Sequence, residues 1–166
     1  MNFICAISAD GYMAKGAEDN MAWAGKIDKQ IFQLISSLNG GICLAPEQTF
    51  LNMPKLMTGR TIIPISRTGL TLETAAKKFP NGLIIGGPTL LNVASQLDLI
   101  DDLIVNVVEN VIINKLSKDQ EYSETLSQNL EQYKFPFNTK LIENKAPVMT
   151  LQFPDLLTKI YRLKTL

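Results

Sequence analysis

Strand-like runs of apolar residues alternate with short helical segments along most of this chain, and this alternation limits the possible folds more than any other feature. The runs are rich in β-branched residues, and the segments between them have helical spacing of apolar residues or begin with Pro or Thr. The strand-like runs are residues 2–8, 42–45, 61–66, 82–86 and 101–113, and the helical segments are 28–38, 46–56, 71–79 and 88–97. Alternating strands and helices are typical of a mostly parallel sheet with helices on both faces. We therefore expect an α/β fold with three layers.

The last third of the chain departs from this alternation. Residues 115–132 are polar and are compatible with a loop, a surface helix or both. Residues 137–153 have the pattern of two strands joined around 144–146, and residues 154–163 fit either a terminal strand or a short helix. The chain contains no repeat, low-complexity tract or linker, so we expect residues 1–166 to form one domain.

Charge and composition make several classes of function improbable. Sixteen basic side chains balance sixteen acidic ones, so no net field attracts nucleic acid or an anionic membrane. The first apolar run is too short for a signal peptide or a spanning helix, and Asp10 follows it closely, so we expect a cytoplasmic protein. Cys5 and Cys43 lie in apolar runs of a chain without histidine, which indicates buried free thiols and no metal site.

Two strand ends carry groups that suit anions. Gly86-Gly87-Pro88 joins an apolar strand to a helix, where backbone N–H groups and the helix dipole favour a phosphate. The same tripeptide is also an ordinary strand-to-helix boundary. Ser66-Arg67-Thr68 follows another strand, and ligands of open parallel sheets bind at the carboxyl ends of strands, although a solvated turn would look the same.

Asp28 is the candidate acid of this histidine-free chain. At the start of its helical segment it can cap the helix, or it can lie in a pocket wall with Phe32 one turn further on. The pKa of a carboxylate in such a wall rises, and the group can bind an amidine-like partner. Trp23 ends a loop rich in Gly and Ala and fits either a core or a site. Arg60 can bind a carboxylate or remain in water.

The order of these features along the chain resembles the dihydrofolate reductase family. It runs through "SADGYMA", "MAW", Asp28, Phe32, "QTFLNMPKLMTGRTIIPISR" and "LIIGGPTLL", and covers residues 3–106. "SADGYMA" and "IGGPTLLNVASQLDLIDDLIV" are equally similar to the reductase domain of riboflavin biosynthesis, which shares the fold. The resemblance implies a dihydrofolate-reductase-like fold with a mostly parallel central sheet and a C-terminal antiparallel hairpin.

The resemblance further implies an oxidoreductase of one-carbon metabolism that reduces 7,8-dihydrofolate to 5,6,7,8-tetrahydrofolate with NADPH. Asp28 matches the acid that binds the pterin and promotes its protonation, and Trp23 is the second candidate catalytic residue. Arg60 matches the arginine that binds the carboxylate of the glutamate tail. The complete set of matching substrate residues is Ile4, Cys5, Ala6, Phe32, Met53, Arg60 and Asn106.

The cofactor side is also carried over by the resemblance. The family's Gly-Gly peptide is typically cis, and residues 9–23 match the loop that closes over the nicotinamide. The matching cofactor residues are Ala6, Met21, Thr49, Ser66, Arg67, Thr68, Ile85, Gly86, Gly87, Pro88 and Thr89.

Some positions differ from the family pattern. Pro46-Glu47-Gln48 replaces a Gly-Arg pair whose arginine contacts the 2′-phosphate of NADPH. Glu47 would repel that phosphate unless Arg67 compensates, or it could bind a ribose 2′-hydroxyl and favour NADH. Asn106 stands where a threonine is usual, and its amide can still donate a hydrogen bond.

Two alternative functions remain open from the sequence. The first is a riboflavin-type reductase of a ribosylamino-pyrimidine or another pterin-like ring, which would need basic residues for a phosphate rather than Arg60 for a carboxylate. The second is a catalytically silent reductase fold that serves as a binding or structural protein, with residues 115–132 as its contact surface. Both a monomer and a homodimer are compatible with the sequence.

Overall fold

A computed structural model describes residues 1–16, 19–53, 58–115, 130–136, 142 and 145–164. Strands and helices alternate through the first two thirds of the chain, as the sequence predicts, and two strands follow near its end. The strands are β1 (Asn2–Ser8), β2 (Ile42–Pro46), β3 (Thr61–Ile65), β4 (Leu83–Ile85), β5 (Asp102–Val108), β6 (Met149–Phe153) and β7 (Leu156–Arg162). The α-helices are α1 (Gly25–Ser36), α2 (Glu47–Asn52), α3 (Leu72–Lys78) and α4 (Pro88–Gln96), and short 3-10 helices span Ala22–Ala24 and Leu130–Tyr133.

The seven strands form one mixed sheet in the order β3-β2-β4-β1-β5-β7-β6. The first five strands of this order are parallel. β7 pairs antiparallel with β5, and β6 pairs antiparallel with β7. The predicted parallel sheet and C-terminal hairpin are therefore confirmed. Because parallel strands end at the same edge, β1 to β5 bring their carboxyl ends together there.

The two faces of the sheet bury different side chains of the same strands. Phe3 and Cys5 in β1 lie in the larger apolar cluster, which contains residues of α3 and α4 such as Ala75 and Leu91. Ile4 lies on the opposite face, in a cluster against which α1 packs. This alternation follows from the two-residue period of a strand. It gives the predicted arrangement of helices on both faces.

The position of the C-terminal hairpin differs from the prediction. The turn lies at Pro154-Asp155, not around 144–146, and Asp155 has a φ of 57°. Asp tolerates this left-handed conformation better than most residues, so the turn forms where the sequence analysis placed the start of a separate element. The second predicted strand contributes β6, and the segment 154–163 contains strand β7 rather than a helix. Most of the first predicted strand lies outside the described residues.

The long strand predicted for residues 101–113 is also shorter than expected. β5 ends at Val108, where Glu109-Asn110 form a turn and the Val111 N–H donates to the Val108 carbonyl at 3.3 Å. β-branched residues continue beyond the turn, so composition alone did not indicate the end of the strand.

Some expectations concern residues beyond the described ranges. Most of the polar segment 115–132 lies outside them, and its described end forms the short helix Leu130–Tyr133.

Cys5 and Cys43 are buried free thiols, as predicted. In the ranges that the structure describes, no helix has the length and apolar character needed to cross a membrane.

Candidate active site

Asp28 lies in the first turn of α1, on the side of the helix that faces the sheet. The helix begins at Gly25, and its N-cap is Ala24, so the capping interpretation of Asp28 is wrong. Its Oδ1 instead accepts a hydrogen bond of 2.9 Å from Nδ2 of Asn106 in β5. Desolvation by burial raises the pKa of Asp28, and the Asn106 hydrogen bond and the charge of Lys29 lower it to a smaller extent. The result is a carboxylate with few partners in a partly apolar wall, which suits a cationic or amidine-like ligand.

Asn106 is held inside the sheet and is completely buried. It lies opposite Ala6 of β1 on one side and opposite Thr158 of β7 on the other. The Thr158 hydroxyl donates to Asn106 Oδ1 at 2.7 Å. Sequence reasoning found Asn106 but missed Thr158, because only the pairing of β5 with β7 brings the two side chains together.

Apolar side chains form the wall beside Asp28. Ile4 and Ile85 are buried in the cluster on this face of the sheet, and Phe32 and Met53 pack against them. Ala6 belongs to a neighbouring cluster. Four segments that are distant in sequence thus meet here: β1, α1, β4 and the end of α2.

Cys5 is placed differently from its neighbours in β1. Its side chain lies in the larger cluster on the opposite face, so only its backbone runs beside Ile4 and Ala6. Burial, and to a smaller extent the charge of Asp28, raises the pKa of the Cys5 thiol far above its ordinary value. The thiol is therefore neutral at physiological pH.

Arg60 lies at the far end of α1 from Asp28. Its Nη1 donates to Ser36 Oγ at 3.2 Å, and its guanidinium carbon lies 5.9 Å from the centroid of the Phe32 ring. Asp28, Phe32 and Ser36 are spaced four residues apart and share one side of the helix, over a length of about 12 Å. A carboxylate, an aromatic ring and a guanidinium are therefore arranged in line along α1.

The loop before α1 is organised by Asp19, which the sequence analysis did not identify. Its carboxylate accepts hydrogen bonds from Trp23 Nε1 at 2.7 Å, from the Met21 N–H at 2.8 Å and from the Lys15 N–H at 2.8 Å. Trp23 and Met21 also pack against the cluster that contains Ala6. An Asp two residues before Met21 and four before Trp23 is a local pattern that could have been recognised in the sequence. The carboxylate fixes the end of the loop next to the cluster that contains Ala6.

The two glycines after β4 differ in their surroundings. Gly86 has a φ of 148°, and a Cβ built on it would lie 2.6 Å from Cδ of Pro46. Gly87 is the N-cap of α4, and a Cβ there would have no heavy atom within 4 Å. The expected cis peptide is wrong, because the described residues contain no cis peptide bond. The close approach of Pro46 accounts for Gly86, and the open space beside Gly87 leaves the helix N-terminus accessible to an anion.

The predicted adenosine-side residues lie on neighbouring elements at the same edge of the sheet. Ser66, Arg67 and Thr68 follow β3, where Ser66 Oγ accepts from the Gly69 N–H at 2.8 Å and Arg67 and Thr68 are exposed. β2 lies between β3 and β4, so the carboxyl ends of β3 and β4 are about 10 Å apart.

This arrangement fits part of a dinucleotide. Gly87, Pro88 and Thr89 start α4 and would hold the pyrophosphate, while Thr49 in α2 and the Ser66–Thr68 turn would hold the adenosine end. Glu47 starts α2 directly after β2 and is exposed. An acidic residue between these two groups does not suit a 2′-phosphate.

Comparison with known proteins supports the fold. No family model matches the chain, and no curated protein is significantly similar to it in sequence. The crystal structure of a "putative riboflavin biosynthesis protein" from Shewanella sp. PV-4 is similar over 99% of this chain and 100% of that one, with a TM-score of 0.63 and 14% sequence identity. The chain therefore has the α/β fold that dihydrofolate reductases and riboflavin-type reductases share, as the sequence predicts.

Proposed function

We propose that this chain is a nicotinamide-dependent reductase of a pterin-like ring, with 7,8-dihydrofolate as the first candidate substrate. The observation that carries the proposal is the desolvated carboxylate of Asp28, which accepts a hydrogen bond from buried Asn106 and leaves its second oxygen for a ligand. A 2-amino-4-oxopyrimidine edge offers two N–H donors in line, and a carboxylate can accept both.

Asp28 performs two tasks in this mechanism. Its ionised form binds the ring N–H and the 2-amino group, which orients the ring against the apolar wall of Ile4, Phe32 and Ile85. The negative charge of this ionised form, held in a desolvated wall, also stabilises a proton that the bound ring takes up from water, which makes the adjacent carbon a better hydride acceptor. Gly87 and the Ser66–Thr68 turn would hold NADPH or NADH, which would supply the hydride when bound. Met21 and Trp23 cover the site and reduce the access of water.

The line of groups along α1 favours a folate over a shorter ring. A pterin bound at Asp28 would direct its substituent past Phe32 towards Arg60, about 12 Å along the helix. Phe32 suits an aromatic linker and the Arg60 guanidinium suits a terminal carboxylate. This spacing matches a substrate with an aromatic middle and an acidic end.

The fold similarity favours a second substrate, a ribosylamino-pyrimidine. The similar crystal structure is named a "putative riboflavin biosynthesis protein", and a pyrimidine with a 2-amino group would present the same edge to Asp28. In that case Arg60 would have no tail carboxylate to bind.

The two substrates and the silent alternative are separated by one set of assays. Oxidation of NADPH and of NADH is followed by absorbance with each substrate in turn, for the wild type, Asp28→Asn and the control Asp98→Asn. Asp98 is exposed after α4, and its φ of 53° is also accessible to Asn. We expect Asp28→Asn to lower kcat/KM at pH 7 by about 10²–10³-fold and Asp98→Asn to leave it unchanged.

Each outcome assigns the protein differently. Turnover of dihydrofolate supports the first substrate, and turnover of the pyrimidine alone assigns the second. Wild-type activity in Asp28→Asn would contradict the proposed mechanism. Failure to bind either cofactor, measured by quenching of the single tryptophan Trp23, would leave a catalytically silent protein.

A further inference from the structure

A buried row of hydrogen-bonded polar side chains extends from Asp28 across β5 to β7. Asn106 is 0% exposed and Thr158 is 3% exposed, in a part of the sheet where the neighbouring residues are mainly apolar. The amide of Asn106 donates to Asp28 Oδ1 at 2.9 Å with one end and accepts from the Thr158 hydroxyl at 2.7 Å with the other. Buried polar side chains cost stability unless they are hydrogen-bonded, so the presence of this polar row among apolar neighbours calls for an explanation.

We propose that Thr158 is a positioning residue that holds the Asn106 amide with its NH₂ group towards Asp28. The effect on turnover rests on the proposed function, whereas the effect on the carboxylate does not.

The reason lies in the two unlike ends of an amide. The NH₂ end stabilises an ionised carboxylate, but the carbonyl end would direct its lone pairs at it. Thr158 lies directly opposite Asn106 in the β5–β7 register, and its hydroxyl donates to the carbonyl end. With this donor in place, the observed orientation satisfies both ends of the amide. Without it, the carbonyl end is buried and unpaired, and the amide is held only by its contact with Asp28.

Other ionisable groups near Asp28 do not provide this selection. The Cys5 side chain lies on the opposite face of β1, and burial keeps that thiol neutral, so it adds no charge that changes near neutral pH. Lys29 contributes a lowering charge from α1. In the part of the chain that the structure describes, neither Cys5 nor Lys29 forms a hydrogen bond with Thr158. A change in the Asp28 midpoint after substitution of Thr158 therefore reflects the Asn106 amide, to which the Thr158 hydroxyl donates.

The direct test is the titration of the Asp28 carboxyl group by ¹³C NMR in the free protein, with Asp28→Asn to assign the signal. Thr158→Val keeps the shape of the side chain and removes the hydroxyl, and Thr158→Ser keeps the hydroxyl. We expect the midpoint of Asp28 to move upward in Thr158→Val, because the hydrogen bond that stabilises its ionised form is weakened. Thr158→Ser should retain the wild-type midpoint.

A wild-type midpoint in Thr158→Val would overturn the proposal, and so would a Thr158→Ser midpoint that follows the valine variant. If Thr158→Val does not fold, Thr158→Ala, which also lacks the hydroxyl, is titrated in its place with the same expectations.

Turnover provides the second readout. Thr158→Val should lower kcat/KM by about tenfold and move the acidic limb of its pH profile in the same direction as the NMR midpoint. In an Asp28→Asn background the same substitution should have no further effect, because the two residues act through one contact. An equal loss in both backgrounds would show a merely structural role and contradict the proposal. If the Asp28 midpoint shifts in Thr158→Val but the wild type shows no turnover, the positioning role of Thr158 stands and the proposed function is wrong.

Discussion

At the scale of single residues, the environment of Asp28 decides what this side chain can do. Most acids in the first turn of a helix are solvated and stabilise the helix dipole. Asp28 has an apolar wall, one donor from Asn106 and a lysine beside it, and burial is the largest of these influences on its pKa. Burial of the ionised carboxylate therefore lowers the stability of the fold, and it also leaves the carboxylate suited to binding a ligand.

Replacement of Asp28 by Asn should make the protein more stable at neutral pH. The pKa of Asp28 is raised in the folded state, so its favourable contribution is complete below the ordinary value of 3.8 and is lost as the pH rises through the folded-state pKa. Asn cannot ionise and does not incur this loss. We expect the melting temperature of Asp28→Asn to exceed that of the wild type at pH 7, where an increase of about 2–4 °C would correspond to about 1 kcal/mol.

The pH dependence separates this cause from others. The difference between the two melting temperatures, measured by calorimetry, should shrink towards zero as the pH falls below 3.8. A difference that stays constant from pH 7 to pH 3 would show that desolvation of the charge is not its origin.

At the scale of elements, the junction of β4 and α4 combines a packing requirement with open space at a helix N-terminus. Gly86 lies against Pro46 at the end of β2, which brings two neighbouring strand ends into contact. Gly87 has open space at the N-terminus of a nine-residue helix. Two adjacent glycines thus serve different purposes, which a sequence motif alone does not separate.

The substitutions Gly86→Ala and Gly87→Ala should therefore have different effects. The first places a Cβ 2.6 Å from Pro46 at a φ of 148°, and we expect a loss of about 1–3 kcal/mol, seen as a lower melting temperature. The second meets no atom within 4 Å and should leave stability almost unchanged, but its methyl group should reduce cofactor affinity by about tenfold. Unchanged affinity in Gly87→Ala, measured by Trp23 quenching, would argue against a pyrophosphate at this helix.

At the scale of the whole molecule, the order of strands determines which groups a bound dinucleotide would meet. β2 lies between β4, which leads to Gly87, and β3, which leads to Arg67. A cofactor that reaches both must pass the start of α2, where Glu47 is exposed. If a dinucleotide binds at this edge, the sheet order would place Glu47 beside it, so we expect Glu47 to influence the choice between NADPH and NADH.

Glu47→Gln should shift the preference towards NADPH. Removing one negative charge near a 2′-phosphate is worth about 1 kcal/mol at the surface, so we expect NADPH affinity to rise about fivefold and NADH affinity to change little. Asp98→Asn removes the same charge after α4, at the opposite end of that helix, and should change neither. The gain should decrease with salt. Equal gains in both variants would indicate an effect of net charge rather than of Glu47.

The sequence by itself determined the class of fold and most of the candidate site. The repeat of apolar side chains, every two residues in a strand and about every 3.6 in a helix, is a local property of the sequence. It predicted the α/β layers from residue 2 to residue 108. Asp28, Arg60 and the two glycines were recognisable because their residue types and their order along the chain are informative.

Only the tertiary structure decided which of these residues act together. Asn106 and Thr158 are 52 residues apart and meet because β7 pairs antiparallel with β5 in one register. A shift of one residue would turn Thr158 to the other face of the sheet. The position of the hairpin was misjudged for the same reason, since its turn depends on the left-handed conformation of Asp155 and on pairing with β5. Long-range pairing and desolvation are properties of the folded chain, and they determine the chemistry of Asp28.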